Sequence, residues 1–344
     1  MKNFLIVVSI FTLFISSCST DFKVGADYKD VTVVYGLLSI TDTAHYIKVT
    51  KGYYDEKENN LSLAKNPDSI YYNNIQVDMQ VINNGNIVET IALNKVDLNN
   101  EGFPKEPGVF ATSPNYAYKF KKNLDATKRY RLKVTNLSSG KVITGETSLI
   151  TNSIAAFKFV RPSDETETLN LSNPLEPYVF VWRGPETAAF YDVVFRFKYQ
   201  EVDLNSPLDT LYFIKDVPVL KNVLSTTGEL SSTLSDIEFF KQLNSTIGDA
   251  SINIKRYVDT PGLLILAGGA DLKTYIDVNS AQGGITFDQI KPNYTNLQGE
   301  NAFGILSTRG QIEFKKIKFS DATINDIINS TYTRSLRFVG TSTK

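Results

Sequence analysis

The sequence predicts an all-β protein made of two antiparallel β-sandwich-like domains, the second of which carries a short helical insertion. Three observations lead to this fold class. Tyr (18) and Phe (21), which favour strands, are abundant among the 344 residues. Short apolar segments with a period of two recur along the chain, with turn residues between them. The length exceeds that of one small sandwich and is enough for two domains.

Residues 1–18 predict a lipoprotein signal peptide. Lys2 precedes an apolar run, Phe4 to Phe14, that is too short for a stable membrane-spanning helix. The run leads into Ile15-Ser16-Ser17-Cys18, which resembles a bacterial lipobox with Cys18 as the acylated residue. Cys18 is also the only cysteine, which excludes a disulfide framework and a thiolate metal site. The alternative is a secreted protein in which Cys18 is incidental.

Residues 19–30 predict a polar tether, and the body that follows shows no sign of nucleic-acid binding. The formal net charge is −1, and charges of both signs are interspersed. Several acyl chains on Cys18 would hold this body stably at a bilayer, whereas a single chain binds only marginally. We therefore expect a lipid-anchored protein whose body lies outside the membrane and needs no cofactor.

Residues 31–152 predict the first sandwich. Residues 75–81 alternate between apolar and polar side chains, as a half-buried strand does. Asn83-Asn84-Gly85-Asn86 then supplies the positive φ angles of a tight hairpin. Short strands between such turns are typical of an immunoglobulin-like sandwich, here without the cysteine pair of true immunoglobulins. The other predicted strands are residues 31–38, 44–50, 87–91, 116–120, 130–134 and 142–147.

Residues 153–344 predict the second β-domain, with a boundary near Thr151. Tyr178 to Trp182 and Phe190 to Glu201 form two strands joined by a turn. A buried Trp followed by a Tyr-led strand resembles fibronectin type III modules, which implies a sandwich and no activity. Further strands are predicted at residues 154–160, 251–257, 263–266, 275–278 and 312–319.

One helix interrupts this second domain near residues 235–247. Ser235 and Glu238 form a capping box, which marks a helix start. The face predicted to pack on the sheet consists of Ile237, Phe240, Leu243 and Ile247. A second short helix is predicted at residues 322–329.

Tracts spread along the chain resemble a Bacteroidota lipoprotein family that carries a domain of unknown function. They are the lipobox, Val33-Val34-Tyr35-Gly36-Leu37-Leu38, His45-Tyr46-Ile47-Lys48-Val49 and Glu300-Asn301-Ala302-Phe303-Gly304-Ile305-Leu306. Members of this family tend to be encoded near outer-membrane receptor genes. The resemblance implies a β-rich accessory protein of the outer membrane, at its periplasmic face or at the cell surface. It supplies no catalytic residues.

The same resemblance implies sites of O-glycosylation, because Bacteroidota modify Ser or Thr between an Asp and an apolar residue. Asp42-Thr43-Ala44, Asp68-Ser69-Ile70 and Asp209-Thr210-Leu211 fit this pattern. Thr43, Ser69 and Thr210 are therefore the candidate modified residues.

Tyrosines near predicted turns are the candidate ligand-binding residues. They are Tyr53 and Tyr54 before a polar loop, Tyr71 and Tyr72 after it, and Tyr294 in a second loop. Tyrosines on the loops of a rigid sandwich can stack on a glycan or hold a peptide. The alternative is that they fix the loops to their own sheet.

The segment Asp97-Leu98-Asn99-Asn100-Glu101-Gly102 is a weak candidate for calcium binding. Asp97, Asn99 and Glu101 place oxygen side chains at alternate positions before a glycine, as the start of a calcium loop does. The twelfth position, where a bidentate Glu is needed, is Gly108. We therefore favour an ordinary turn without metal.

No catalytic motif stands out. His45 is the only histidine and lies at an alternating strand position, without a nucleophile elbow elsewhere, so histidine-based hydrolysis is not expected. The glycine pairs at residues 268–269 and 283–284 lack a phosphate-binding pattern and are predicted as turns. The sequence thus predicts a non-catalytic binding or assembly protein, accessory to an outer-membrane transporter or a polymer-binding complex. The alternative is a carboxylate-based glycan hydrolase, which needs only two of the 37 acidic residues.

Overall fold

The computed structural model describes residues 31–52, 60–226, 228–280 and 294–342. This part of the chain is mostly β-sheet, arranged in several sheets, which confirms the predicted β-rich fold. Residues 1–30, with the predicted signal peptide, Cys18 and the tether, lie outside the described residues.

Twenty strands and several short helices follow one another within the described ranges. The strands are β1 Thr32–Leu38, β2 Ala44–Lys51, β3 Ile75–Asn83, β4 Asn86–Ala92, β5 Asn94–Asp97, β6 Tyr116–Lys121, β7 Arg129–Asn136, β8 Val142–Ser148, β9 Lys158–Arg161, β10 Thr168–Leu169, β11 Tyr178–Arg183, β12 Phe190–Asp203, β13 Thr210–Leu224, β14 Glu229–Leu234, β15 Ile254–Val258, β16 Gly262–Gly268, β17 Leu297–Gln298, β18 Ala302–Phe314, β19 Lys318–Phe319 and β20 Phe338–Thr341. The α-helices are α1 Asn60–Lys65, α2 Pro67–Ile70, α3 Asp236–Ile247, α4 Ala270–Ser280 and α5 Asp321–Asn329, and 3₁₀ turns occupy Leu98–Glu101 and Arg334–Leu336.

A ten-stranded sheet runs through both halves of the chain. Its order is β20-β15-β12-β16-β18-β1-β2-β6-β5, with β13 added on β12. Near its middle, β1 pairs in parallel with β18, in an unbroken register from Thr32 opposite Ala302 to Leu38 opposite Thr308. The predicted boundary near Thr151 therefore does not divide this sheet.

Three pairings depart from the antiparallel prediction. They are β1 with β18, β10 with β19, and β15 with β20, all of which are parallel. Tight hairpins force only strands that are neighbours in sequence to be antiparallel, and the two strands of each of these pairs are far apart in sequence. Local turn signals therefore carry no information about their direction.

Two hydrophobic cores lie against the ten-stranded sheet. The N-terminal core is enclosed by the five-stranded sheet β17-β8-β7-β3-β4 and includes Val34, Tyr130 and Leu149. The C-terminal core lies beneath the three-stranded sheet β14-β11-β9 and helices α3 and α5, and begins in sequence with Ile150. The change of core thus falls close to the predicted boundary, although Leu306 from the C-terminal half completes the N-terminal core.

Several local predictions are confirmed. Asn84 and Gly85 have φ angles of 48° and 82° in the turn between β3 and β4. Trp182 is completely buried and packs edge-on against Tyr191, with 5.7 Å between ring centroids. Helix α3 begins at the predicted capping box, since the Ser235 side chain accepts a hydrogen bond from the Glu238 backbone and Glu238 reciprocates.

Two local predictions are wrong. Helix α3 buries Phe239, Phe240 and Leu243, whereas Ile237, which we expected on the packed face, is 42% exposed. Residues 275–278, predicted as a strand, lie inside helix α4. Alternation over four residues also fits a partly exposed helix, and Lys273 pairs with Asp277 at the i,i+4 spacing that a helix provides.

His45 lies inside the N-terminal core. It is 2% exposed and stacks on Phe120, with 4.8 Å between ring centroids. Its Nε2–H donates to the Lys122 carbonyl at 3.0 Å, and its Nδ1 has no hydrogen-bond partner among the described residues. Burial lowers the pKa of His45 from 6.5. The Lys122 carbonyl and Asp42 act in the other direction but offset only part of this shift. The histidine therefore belongs to the core as the neutral form.

We expect this histidine to make the folded state less stable in mild acid. Because its folded-state pKa is below that of the unfolded chain, the unfolded state binds the extra proton, and the free energy of unfolding falls as pH drops through about 6.5. The measurement is urea unfolding of the wild type and of His45→Gln, which keeps a donor but does not titrate, between about pH 8 and pH 5. Parallel pH profiles for the two proteins would contradict the assignment.

Gly304 permits the close approach of β1 and β18. Its φ is 95°, and a Cβ at this position would lie 2.0 Å from the Val34 carbonyl oxygen. Gly304→Ala should therefore lower the free energy of unfolding by roughly 3 kcal/mol or more, because both strain and a backbone clash result. Gly340→Ala in β20 is the matched control, since no atom lies within 4 Å of its Cβ position. Equal losses in the two variants, measured by chemical denaturation, would refute this role for Gly304.

Candidate functional site

The face of the ten-stranded sheet opposite the cores carries an exposed aromatic and apolar cluster. Along β1, Val34 and Leu38 point into the N-terminal core, while Tyr35 and Leu37 point outward and are 43% and 38% exposed. Helix α4 contacts Tyr35 through Tyr275, and the next residue of the helix, Ile276, is 38% exposed. We call Tyr35, Leu37, Tyr275, Ile276 and Tyr294 the tyrosine surface.

Two glycines allow the chain to pass from β16 into helix α4 close to the sheet. A Cβ on Gly268 would lie 2.2 Å from the ring of Phe190, and one on Gly269 would lie 2.8 Å from Thr308 Cγ2. Larger residues at these positions would push the helix away from the sheet. The glycine pair at residues 268–269, predicted as a turn, thus positions one side of the tyrosine surface.

Hydrogen bonds from two tyrosine hydroxyl groups hold helix α4 in place, because the helix has no buried residue of its own. The Tyr275 hydroxyl donates to the Tyr35 hydroxyl at 3.1 Å, and the two rings meet edge to face at 5.9 Å. At the start of the helix, the Tyr294 hydroxyl donates to Asp271 Oδ1 at 2.5 Å. These contacts join β1, helix α4 and the chain that precedes β17.

The phenols of Tyr35 and Tyr294 are neutral at physiological pH. Burial, and then the hydrogen bond with Tyr275, raises the pKa of Tyr35 to about 12. Burial and the Asp271 carboxylate raise the pKa of Tyr294 to about 12. Aromatic rings can stack on a sugar or pack on a peptide, and the neutral Tyr35 hydroxyl, which accepts from Tyr275, can donate its own proton to such a ligand.

Tyr294 is one of the tyrosines predicted to bind a ligand, and it belongs to the tyrosine surface. The other two candidates whose positions the structure describes, Tyr71 and Tyr72, do not. Tyr71 and Tyr72 are 4% and 8% exposed. The Tyr72 hydroxyl lies 2.7 Å from Thr32 Oγ1, and Tyr71 packs edge-on against Tyr116. Both rings therefore attach their segment to the sheet, which is the alternative that the sequence left open. Tyr53 and Tyr54 lie outside the described residues.

Sequence reasoning missed the other members of the tyrosine surface. Tyr35 and Leu37 belong to a segment that we predicted as a strand, and both residues lie on its outward face. Tyr275 and Ile276 fall in the segment wrongly predicted as a strand. The period of two in β1 was the available signal for the first pair, and no local signal places helix α4 beside it.

The weak calcium candidate has structural partners for its oxygen atoms. Asp97 Oδ1 accepts from the backbone N–H groups of Asn99 and Asn115, both at 3.0 Å. Glu101 accepts from the Tyr46 hydroxyl at 2.9 Å and pairs with Lys119, and these contacts, the lysine first, lower the pKa of Glu101. Among the described residues, no group of three or more His, Cys, Asp or Glu side chains is placed to hold a metal ion. This geometry fits the capped turn that we favoured.

The candidate glycosylation sites differ in exposure. Thr43 is exposed in the turn before β2, whereas Ser69 in helix α2 and Thr210 at the start of β13 are half-buried. Thr43 is therefore the most accessible of the three to a modifying enzyme.

A groove of about 1,030 Å³ in the C-terminal half is one place where the alternative hydrolase could act. It is lined by Glu165, Asp259 and Asp321, with Phe319 as its aromatic residue. Glu165 accepts a hydrogen bond from the Lys315 backbone at 2.6 Å, and Asp259 accepts from the Thr260 backbone at 2.6 Å. Asp321 lies in the first turn of helix α5. Each carboxylate thus has a structural position, and a single aromatic ring gives little surface for a sugar.

Comparison with models of known protein families and with curated proteins finds no match. In the described ranges, no helix is long and apolar enough to cross a membrane.

Proposed function

We propose that this chain is a lipid-anchored, non-catalytic protein of the outer membrane that binds or assembles a partner. The partner is an outer-membrane receptor or transporter, or a glycan or peptide polymer held at the membrane. The anchor is the acylated Cys18, and residues 19–30 tether the folded body to it. The observation that carries the proposal is the tyrosine surface, an exposed aromatic cluster on a rigid sheet face.

Two features of the tyrosine surface support binding over catalysis. Its residues come from a sheet strand and from a helix fixed to that strand by hydrogen bonds, so a partner would meet a preformed surface. Tyrosine rings supply large contact areas at low cost in conformational entropy, which is why they are frequent in binding hot spots.

We also propose that each core, with its two facing sheets, is a sandwich module of the immunoglobulin or fibronectin type III kind. Support comes from the buried Trp182 on β11, which contacts Tyr191 on the following strand β12. Such modules serve mainly as rigid platforms, so this proposal is consistent with a binding function.

A carboxylate-based glycan hydrolase is the alternative. The observation in its favour is the groove lined by Glu165, Asp259 and Asp321. The backbone hydrogen bonds of Glu165 and Asp259 give those carboxylates structural roles, which weighs against a catalytic pair.

The lipid anchor predicts that Cys18→Ser abolishes incorporation of labelled palmitate and releases the protein from the membrane fraction. The matched control is Ser17→Ala, which leaves the cysteine in place and should keep both properties. Palmitate labelling and membrane fractionation of cells are the measurements. Labelling that persists in Cys18→Ser would show that the acyl chains are attached elsewhere.

The binding role predicts that the combined substitutions Tyr35→Ala, Leu37→Ala and Ile276→Ala remove the partner. Loss of a central aromatic and apolar cluster should weaken binding by more than about tenfold. The measurement is co-purification from mild detergent extracts, with quantitative mass spectrometry of the recovered proteins and glycans.

The matched control for this experiment is Tyr332→Ala, because Tyr332 is 36% exposed and lies away from the tyrosine surface near helix α3. It should retain the partner. Identical recovery of every component by the wild type and the triple variant would contradict the role of the tyrosine surface.

A further inference from the structure

Strand β13 forms an edge of the ten-stranded sheet. Its only strand partner within the described residues is β12. It has 15 residues, compared with 7 in edge strand β4 and 4 in edge strand β5. An edge strand presents unpaired backbone N–H and C=O groups, and natural proteins usually protect such edges by shortness, proline, charge or a bulge.

The proline and the bulge of β13 are confined to its second half. Pro218 lies there, and the register with β12 shifts on both sides of Val193, opposite Leu220 and Pro218. The first half pairs without a break from Thr210 opposite Val202 to Val217 opposite Phe195. Residues 210–217 therefore form a regular edge without a proline or a bulge.

The side chains of this regular edge are largely apolar and exposed. Leu211 is 57% exposed, Tyr212 is 72% exposed and Ile214 is 62% exposed. Phe213, between them, stacks on Tyr199 of β12, with 5.2 Å between ring centroids. Apolar side chains on both faces of this edge strand can pack against the side chains of a further β-strand that pairs with its outer edge.

We infer that residues 210–216 pair edge to edge with the same residues of a second copy of this chain, in an antiparallel register centred on Phe213. In this register Tyr212 lies opposite Ile214 of the other copy, and Leu211 lies opposite Lys215. Thr210 lies opposite Asp216. The twofold axis repeats each pair, so a single strand supplies both sides of the contact.

Charge and side-chain chemistry favour this self-pairing. A register centred on Lys215 or on Asp216 would place like charges opposite each other, whereas the Phe213 register places none. An aromatic residue opposite a β-branched residue, here Tyr212 opposite Ile214, is a favourable cross-strand pair, and it occurs twice. Asp216 already forms a salt bridge with Arg196 at 3.0 Å, so its charge is balanced within each copy.

The contact between two edge strands is small, so we expect a weak dimer whose population depends on concentration. Sedimentation equilibrium of the purified full-length protein in mild detergent measures it. The double variant Tyr212→Lys, Ile214→Lys places two ammonium groups opposite each other on both sides of the central Phe213. It should weaken dimerisation by at least about tenfold.

Charge reversal separates loss of pairing from loss of folding. The variant Tyr212→Glu, Ile214→Glu should also be monomeric, and mixing it with the lysine variant should restore a dimer made of one copy of each. The altered side chains are exposed, so the fluorescence of buried Trp182 should stay unchanged in both variants. Restored pairing on mixing also shows that shared detergent micelles do not explain the dimer.

The matched control is the double variant Ile87→Lys, Val88→Lys on edge strand β4, where these side chains are 48% and 58% exposed. It should dimerise like the wild type. A monomeric wild type, a dimer lost only in the β4 variant, or double variants that fail to pair on mixing would each overturn the inference. Occupation of β13 by a strand of another protein, with no self-association, would also overturn it.

Discussion

The parallel pairing of β1 with β18 is the interaction on which the rest of the structure depends. It joins a strand at the start of the folded body to one near its end, in an unbroken register. Because β18 continues into pairing with β16, the sheets of both halves become one. Two further contacts cross the same region: the Asp42–Arg309 salt bridge at 2.6 Å and the hydrogen bond from the Ile150 backbone to Thr308 Oγ1 at 3.1 Å. The two cores are therefore parts of one folded body.

The same pair of strands separates core from surface. On one face, Val34 and Leu306 are completely buried in the N-terminal core. On the other face, Tyr35 and Leu37 project outward, and helix α4 from the C-terminal half lies beside them. The tyrosine surface thus exists only because the β1–β18 pairing brings the two halves together. The sheet beneath the tyrosine surface is anchored in a core on its other face.

The parts of this fold that were predictable are those with a local chemical cause. Asn84-Gly85 forms its turn because these residues accept positive φ angles, and Ser235 begins a helix because its side chain satisfies a backbone N–H. The β1–β18 pairing was not predictable, because strands far apart in sequence leave no local sign of their partner. The tyrosine surface depends on that pairing and was missed for the same reason, apart from Tyr294. Tyr71 and Tyr72 are buried and are not available to a ligand. Their burial depends on how their segment packs against the sheet, which composition does not encode.

One measurement tests whether the shared sheet makes a single folded body. Hydrogen exchange with mass spectrometry across a urea series would follow β3 and β7 of the N-terminal core together with β11 and β16 of the C-terminal core. The β1–β18 pairing predicts that both cores lose protection at the same urea concentration, in one cooperative transition that coincides with the change in Trp182 fluorescence. Two separate transitions, with one core remaining protected while the other exchanges, would contradict it.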